Sequence, residues 1–503
     1  AGRAYVYHGS ASGLSSTAAW TAEGDQASAL FGYSVGTAGD VNNDGYDDVI
    51  IGAYGNFATT YRACVYHGSA GGLSTTPDWS VETSDQTGLG RAVGTAGDVN
   101  GDGYDDVIVG EYYNTTPDEA GRANLYAGSS AGLPITATWT ITGDIAHDYF
   151  GDAVGTAGDV NGDGYDDVII GAPEPDDDAS HEAQAYIYYG SASGPSTTPD
   201  WAAGDDQRYS YFGYSVGTAG DVNGDGQVEV IVGVPYYNHD ESNEGRAFIY
   251  HLPVEGTPHP FADWMVEGNQ DRAWLGDSLS TAGDVNDDGY ADVIVGVPHY
   301  SNGYDTQGAV FGFYGSAAGL PITATWTVEG NQSASLGQAV GAAGDVNGDG
   351  YDDVIIGQDY PEVVFVYYGS AGGLPITATQ TISGPTQNED FGFSVGTAGD
   401  VNGDGYDDVV IGAPRHGSWR GWAYVYHGSA TGLSTTPAWT AAGEAEWDLF
   451  GFSVGTAGDV NGDGYDDVIV GACFYNSSAG RAYVYHGSAS GLSSTAAWTA
   501  EGD

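Results

Sequence analysis

The sequence predicts an all-β fold, a β-propeller of four-stranded blades, and three observations carry that prediction. One phrase, GTAGDVNGDGYDDVIIGA in its fullest form, recurs eight times along the 503 residues, with its first Asp at Asp40, Asp98, Asp159, Asp221, Asp284, Asp345, Asp400 and Asp459. The spacings of 58, 61, 62, 63, 61, 55 and 59 residues exceed those of most solenoid repeats and match one propeller blade with long connections. Composition agrees, because 83 Gly, 37 Tyr and a single Met suit many short strands joined by tight turns better than long amphipathic helices.

Each repeat resolves into four strands, seen most easily in the first. Tyr33 to Ala38 reads as strand A and the β-branched run Val49 to Ala53 as strand B, with the polar, Gly-containing segment Asp40 to Asp48 between them. Arg62 to His67 alternates small or charged residues with Val and Tyr and forms strand C, and Asp78 to Glu82 supplies strand D. On this pattern the blades occupy residues 26–84, 85–145, 146–207, 208–270, 271–331, 332–386, 387–445 and 446–503, after a half-blade at 1–25. A Trp recurs in strand D at Trp20, Trp79, Trp139, Trp201, Trp264, Trp326, Trp439 and Trp498, with Gln380 as the one substitution. A row of rings invites a sugar-platform reading, but one large ring per blade is better explained by the packing of each twisted sheet on the next.

The A–B segments have the form D-x-N-x-D-G-x-x-D. Oxygen-bearing side chains at positions one, three and five converge only if the loop curls tightly, which the Gly at position six permits; a carbonyl at seven and a carboxylate at nine complete a hard-cation shell. The candidate ligands are Asp40, Asn42, Asp44, Tyr46 and Asp48; Asp98, Asn100, Asp102, Tyr104 and Asp106; Asp159, Asn161, Asp163, Tyr165 and Asp167; and Asp221, Asn223, Asp225, Gln227 and Glu229. The other four sets are Asp284, Asn286, Asp288, Tyr290 and Asp292; Asp345, Asn347, Asp349, Tyr351 and Asp353; Asp400, Asn402, Asp404, Tyr406 and Asp408; and Asp459, Asn461, Asp463, Tyr465 and Asp467. Asx turns alone could use these residue types. Against that, three carboxylates in each of eight loops confine 24 of the 69 acidic residues in small spaces, where they repel unless a cation intervenes. Calcium, up to eight ions, fits such a shell better than magnesium, and Glu229 marks the fourth loop as the one altered in affinity.

Charge narrows the partners. Ten basic residues, all Arg, face 69 acidic ones for a net of −59, a field that repels nucleic acid and anionic lipid. Even eight divalent ions leave a large negative surplus. Modular sites of this kind fill at about 10⁻⁴ to 10⁻³ M calcium, so an extracellular or cell-surface location is expected. No apolar run approaches the ~20 residues of a membrane span, and Ala1 to Tyr7 reads as a strand rather than a signal peptide.

These residues resemble the FG-GAP repeat, the blade of integrin α-subunit propellers. The FG element stands at Phe31-Gly32, Phe150-Gly151, Phe212-Gly213, Phe391-Gly392 and Phe450-Gly451, with Leu-Gly in the other three copies. The GAP element is literal at Gly171-Ala172-Pro173 and Gly412-Ala413-Pro414, and GVP at Gly233 and Gly296. The resemblance implies a closed propeller, calcium in the A–B hairpins on one face, and a role in adhesion, ligand binding or surface architecture. Integrin propellers have seven blades and load only some of them, whereas all eight copies here carry the loop.

Residues 1–25 are identical to residues 479–503, so the chain holds eight A–B hairpins and nine C–D hairpins. A closed ring of eight leaves one hairpin over. A ring of seven with an extra blade, or an open spiral of blades, are the alternatives; a window on a longer tandem protein, or the spiral, would account for the surplus and point to self-association in a filament or array, unless the duplication is not a natural one. Cys64 and Cys473 fall on blades that adjoin in a ring of eight, as a closure bridge or as two separate thiols. His8, His67, His427 and His486, in a repeated YHG phrase, read as turn-side surface groups, and Asn114, Asn331 and Asn476 head N-x-S/T sequons.

The leading functional reading is therefore an extracellular, calcium-stabilised structural or adhesive protein. A lectin-like or protein-binding propeller is the alternative, with specificity in the divergent loops 56–61, 112–119, 174–182, 236–244 and 299–307. A polysaccharide lyase comes third. No Lys is present, and no loop concentrates His, Arg and carboxylates into a catalytic set, so no enzyme activity is expected.

Overall fold

The computed structural model describes the chain outside residues 1, 2, 7–19, 24–30, 54–60, 70–72, 75, 84–86, 114–119, 144–148, 174–182, 206, 208, 240, 253–261, 303–305, 331–333, 359, 360, 385–388, 462, 474–480, 490, 493–495, 497, 502 and 503. Blade 1 is an antiparallel sheet of Phe31–Gly39, Asp48–Ala53, Tyr61–Tyr66 and Trp79–Thr83, paired in that order, and seven more four-stranded sheets repeat it. The eight sheets form a closed ring, an eight-bladed β-propeller.

Strand A is the innermost. Its small residues stay half-exposed along the central channel, and a side chain at Gly36, Gly155 or Gly396 would meet nothing within 4 Å. Strand B is buried on both faces along its whole length, for instance Asp167–Ala172 and Asp467–Ala472, which explains its unbroken Val and Ile run. The GAP glycine is required by close approach: a Cβ on Gly171 would stand 2.2 Å from the carbonyl of Gly213, the FG glycine of the next blade. Phe150, Phe212, Phe391 and Phe450 of the FG elements are fully buried beside these contacts.

The strand D Trp has the structural role expected. The Trp139 indole N–H donates to the carbonyl of Ser196 on the following blade (2.9 Å), and Trp326 does the same to Pro375 (2.7 Å). Each ring also meets the next blade's strand C aromatic edge-on, as Trp139 meets Tyr188 at 5.1 Å. Gln380, the exception, keeps the donor: its Nε2 reaches the Ser434 carbonyl at 3.3 Å. The side chains of Trp20 and Trp498 lie outside the described residues.

Closure occurs at eight. Val49, Ile51, Cys64 and Tyr66 of blade 1 share one core cluster with Ala457, Val460, Ile469 and Val484 of blade 8. The Ser69 N–H donates to the Val460 carbonyl at 3.3 Å, repeating the Ser129 to Val41 bond between blades 1 and 2. The seven-bladed ring with an extra blade and the open spiral are both corrected by this joint, since blade 8 offers blade 1 the same surface that every other blade offers its successor. The carboxy-terminal copy of the duplicated segment completes blade 8 as Arg481–Tyr485 and Trp498–Glu501, while Arg3–Val6 and Trp20–Glu23 pair as a separate two-stranded sheet. Cys64 and Cys473 are both buried thiols not joined by a disulfide.

Candidate functional site

All eight A–B loops lie on one face of the ring, each between a strand A that ends in a bulge and a strand B that begins at the ninth loop residue. In the first loop the Asp40 carboxylate accepts the N–H groups of Asp44 (3.0 Å) and Gly45 (2.8 Å), and Asp44 accepts that of Tyr46 (3.2 Å). Gly45 turns the chain at φ 88°, which a side chain would resist. The same three bonds recur at Asp159 and Asp163 and at Asp345 and Asp349. Every loop is thus held curled by its own first and fifth carboxylates.

The ninth residue has a second duty. Asp48 is fully buried; its two oxygens accept the N–H of Val41 (2.9 Å) and of Gly68 in the C–D turn (2.7 Å), so it clamps the loop to the sheet. Burial, against the pull of those N–H groups, pushes its carboxyl up to about 8, and Asp40 and Asp44 add repulsion. Asp167 and Asp353 are pushed up to about 8, and Asp106, Asp292 and Asp408 to about 7, chiefly by burial. A buried carboxylate crowded by two others is suited to a divalent ion that removes the repulsion. The donor set fits calcium: side-chain oxygens at one, three, five and nine with the carbonyl at seven.

The eighth residue, which sequence reading passed over, joins the loops into a ring. Asp105 of blade 2 accepts the backbone N–H of Asp40 in blade 1 at 2.8 Å. Asp166, Asp352, Asp407 and Asp466 do likewise for Asp98, Asp284, Asp345 and Asp400 at 2.8 to 3.0 Å, and Asp47 bonds Asp459 across the closure. The glycine before each loop exists for this contact, because a Cβ on Gly39 would lie 2.3 Å from the Asp105 carboxylate. The available signal was the DD pair in every YDDV phrase. It fails at Val228 and Ala291, so the bridge is missing on both sides of the fourth loop.

The fourth loop differs in its ligands as well. Glu229 is buried and its longer side chain reaches His251, with Nδ1 2.9 Å from Oε1. The histidines of the YHG phrase are a correction to the surface reading: His67 and His427 are half-buried and His486 is buried, wedged between blades, with the His67 ring against Gly132 and the His427 ring against Gly491. His8 and the sequon residues Asn114, Asn331 and Asn476 lie outside the described residues, as does all or part of each divergent loop.

At the other mouth of the channel, the residue after each FG element builds a mixed rim. Phe393 and Phe452 meet at 5.2 Å and Tyr33 approaches Phe452 at 6.4 Å. Next to Tyr33, Arg91 bonds Asp152 through Nη2 at 3.2 Å, and farther round burial pushes Asp277 up to about 6. Among the described residues, no helix is long and apolar enough to cross a membrane.

Comparison with known proteins fits this architecture. The model of the FG-GAP repeat matches residues 31–71, 89–126, 150–188, 212–250, 275–313, 336–372, 391–429 and 450–485. Integrin alpha-3 of Cricetulus griseus is 30% identical over 227 residues, 42% of this chain and 21% of that protein, and integrin alpha pat-2 of Caenorhabditis elegans 31% identical over 261 residues, 47% and 20%. A phosphatidylinositol-glycan-specific phospholipase D of Bos taurus is 28% identical over 402 residues, 68% of this chain and 46% of that protein. The chain therefore spans less than half the length of these relatives. The solved structure of Sqt1 from Chaetomium thermophilum covers 88% of this chain, and the chain covers 96% of it, with a TM-score of 0.52 and 12% identity, a likeness of fold alone. Eight matched repeats, on eight blades whose FG and GAP glycines interlock, make this chain a member of the FG-GAP repeat family, similar to integrin α subunits.

Proposed function

We propose that the chain is an extracellular, calcium-stiffened propeller that works in adhesion, with its cation loops on one face and ligand contact on the other. The observation that carries the reading is the ring of eight acidic loops, six of whose joints are tied by an eighth-position carboxylate. Ions held at positions one, three, five, seven and nine would neutralise crowded carboxylates in every blade and so stiffen the whole disc. Millimolar calcium outside cells is what fills sites of this type. The integrin α relatives support a protein ligand, and the aromatic and charged rim around Phe452 and Arg91 supports its docking on the opposite face.

The identical 25-residue units favour one extension of this reading. Two copies of one hairpin sequence suit a tandem or filamentous arrangement in which equivalent units recur along an assembly. Electron microscopy of the native material with and without chelator tests it. Filaments that fray on calcium removal support a polymer; single discs in both conditions refute it and leave the adhesive module. Binding of a glycan array without any protein ligand would instead favour the lectin-like reading.

A further inference from the structure

The fourth loop departs from the other seven in the one place where its chemistry changes. His251 stands at the end of strand C, where the other blades carry His67, Ala127, Tyr189, Tyr314, Tyr368, His427 and His486. Its backbone N–H is anchored on Asp263 (2.8 Å), and its ring lies between two carboxylates: Nδ1 is 2.9 Å from Glu229 and Nε2 is 3.5 Å from Asp225. The candidate ligand atoms of Asp225, Glu229 and His251 all lie within 4.8 Å of one another. In blade 8, where His486 comes within 3.8 Å of Asp467, the shorter aspartate is committed to the N–H groups of Val460 and Gly487, and its loop forms no such three-donor set among the described residues.

We propose that loop 4 selects a nitrogen-accepting divalent ion, of the zinc or cobalt class, in place of calcium. The geometry is that of a carboxylate orienting a metal-binding histidine. In the neutral ring, the carboxylate 2.9 Å from Nδ1 takes the ring N–H there, which leaves the Nε2 lone pair directed at the Asp225 carboxylate. Two electron-rich groups then face each other across 3.5 Å, a gap that a cation fills. Calcium takes oxygen shells, whereas imidazole beside carboxylates suits first-row metals. The lengthening of Asp to Glu at position nine is what delivers the orienting oxygen. It coincides with Val228 and Ala291, which free this loop from the bridging carboxylates, so its ligands adjust without strain on its neighbours.

The inference rests on the reading that the A–B loops take cations, and its test separates the two. The full chain is held in excess calcium and titrated with cobalt(II), whose visible absorption reports nitrogen ligation, and bound cobalt is counted after desalting. One cobalt per chain, displaced by zinc, is expected. His251→Tyr should weaken it at least about 10-fold; Tyr occupies the equivalent place in three blades, so this variant keeps the fold. His67→Tyr should leave cobalt binding unchanged. No cobalt retained against calcium, equal retention by His251→Tyr, or an NMR titration in which the His251 Nε2 resonance stays unmoved as zinc is added would overturn the assignment. Cobalt bound at loop 4 with no calcium bound elsewhere would uphold it and refute the calcium reading instead.

Discussion

Chelation of the divalent ions near neutral pH should lower the melting temperature by a large and calculable amount. If the seven loops other than loop 4 bind as extracellular calcium modules do, calcium at about 100 times Kd contributes ~2.7 kcal/mol per site, or about 19 kcal/mol in all. A chain of 503 residues unfolds with an entropy of ~2.1 cal/mol/K per residue, about 1 kcal/mol/K in all, so the expected fall is on the order of 20 °C. The pH dependence in chelator follows from the ninth-position carboxyls. Asp48, Asp167 and Asp353 rise from 3.8 to about 8 in the metal-free fold, so the stability they contribute is complete below pH 3.8 and is lost as pH rises through about 8. Metal-free protein should therefore melt higher at pH 5 than at pH 8, and calcium should reverse that order because it favours the ionised form. Calorimetry in calcium and in EDTA at the two pH values measures both effects. A shift of less than about 3 °C, set against the ~20 °C worked above, or an EDTA-treated protein more stable at pH 8 than at pH 5, would refute the reasoning.

Other residues make separate claims. Asp105→Ala should cost ~1–3 kcal/mol by orphaning the Asp40 N–H, seen as faster hydrogen exchange confined to the joint of blades 1 and 2; uniform protection would argue against the bridge. Trp326→Ala should destabilise by ~3–5 kcal/mol in urea, and Trp326→Gln by clearly less, because Gln380 shows that Gln retains the interblade donor. Arg91→Ala leaves the half-buried Asp152 without its guanidinium and should cost ~1–3 kcal/mol, whereas a loss well below about 1 kcal/mol would mean the pair is solvated.

Much of the molecule was legible in its sequence because the repeat states each local rule eight times. The strands of blade 1 fall within two residues of the hydrophobic pattern, since strand B must be apolar on both faces and the Asp–Gly loop before it can adopt no regular strand. The acidic residues that curl each loop, the Trp positions and the family motifs follow from the same local chemistry. Side-chain destinations across a blade joint do not, because they depend on how two twisted sheets meet. That packing alone decided that the ring closes at eight, with the carboxy-terminal hairpin in blade 8. It also turned the second Asp of each DD pair into a clamp and the first into a bridge, and it set the YHG histidines between blades instead of on the surface. A one-dimensional pattern shows which groups a loop owns; only the ring shows that six of the eight loops are finished by a neighbour's carboxylate, and that His251 and Glu229, distant in sequence, converge on one site.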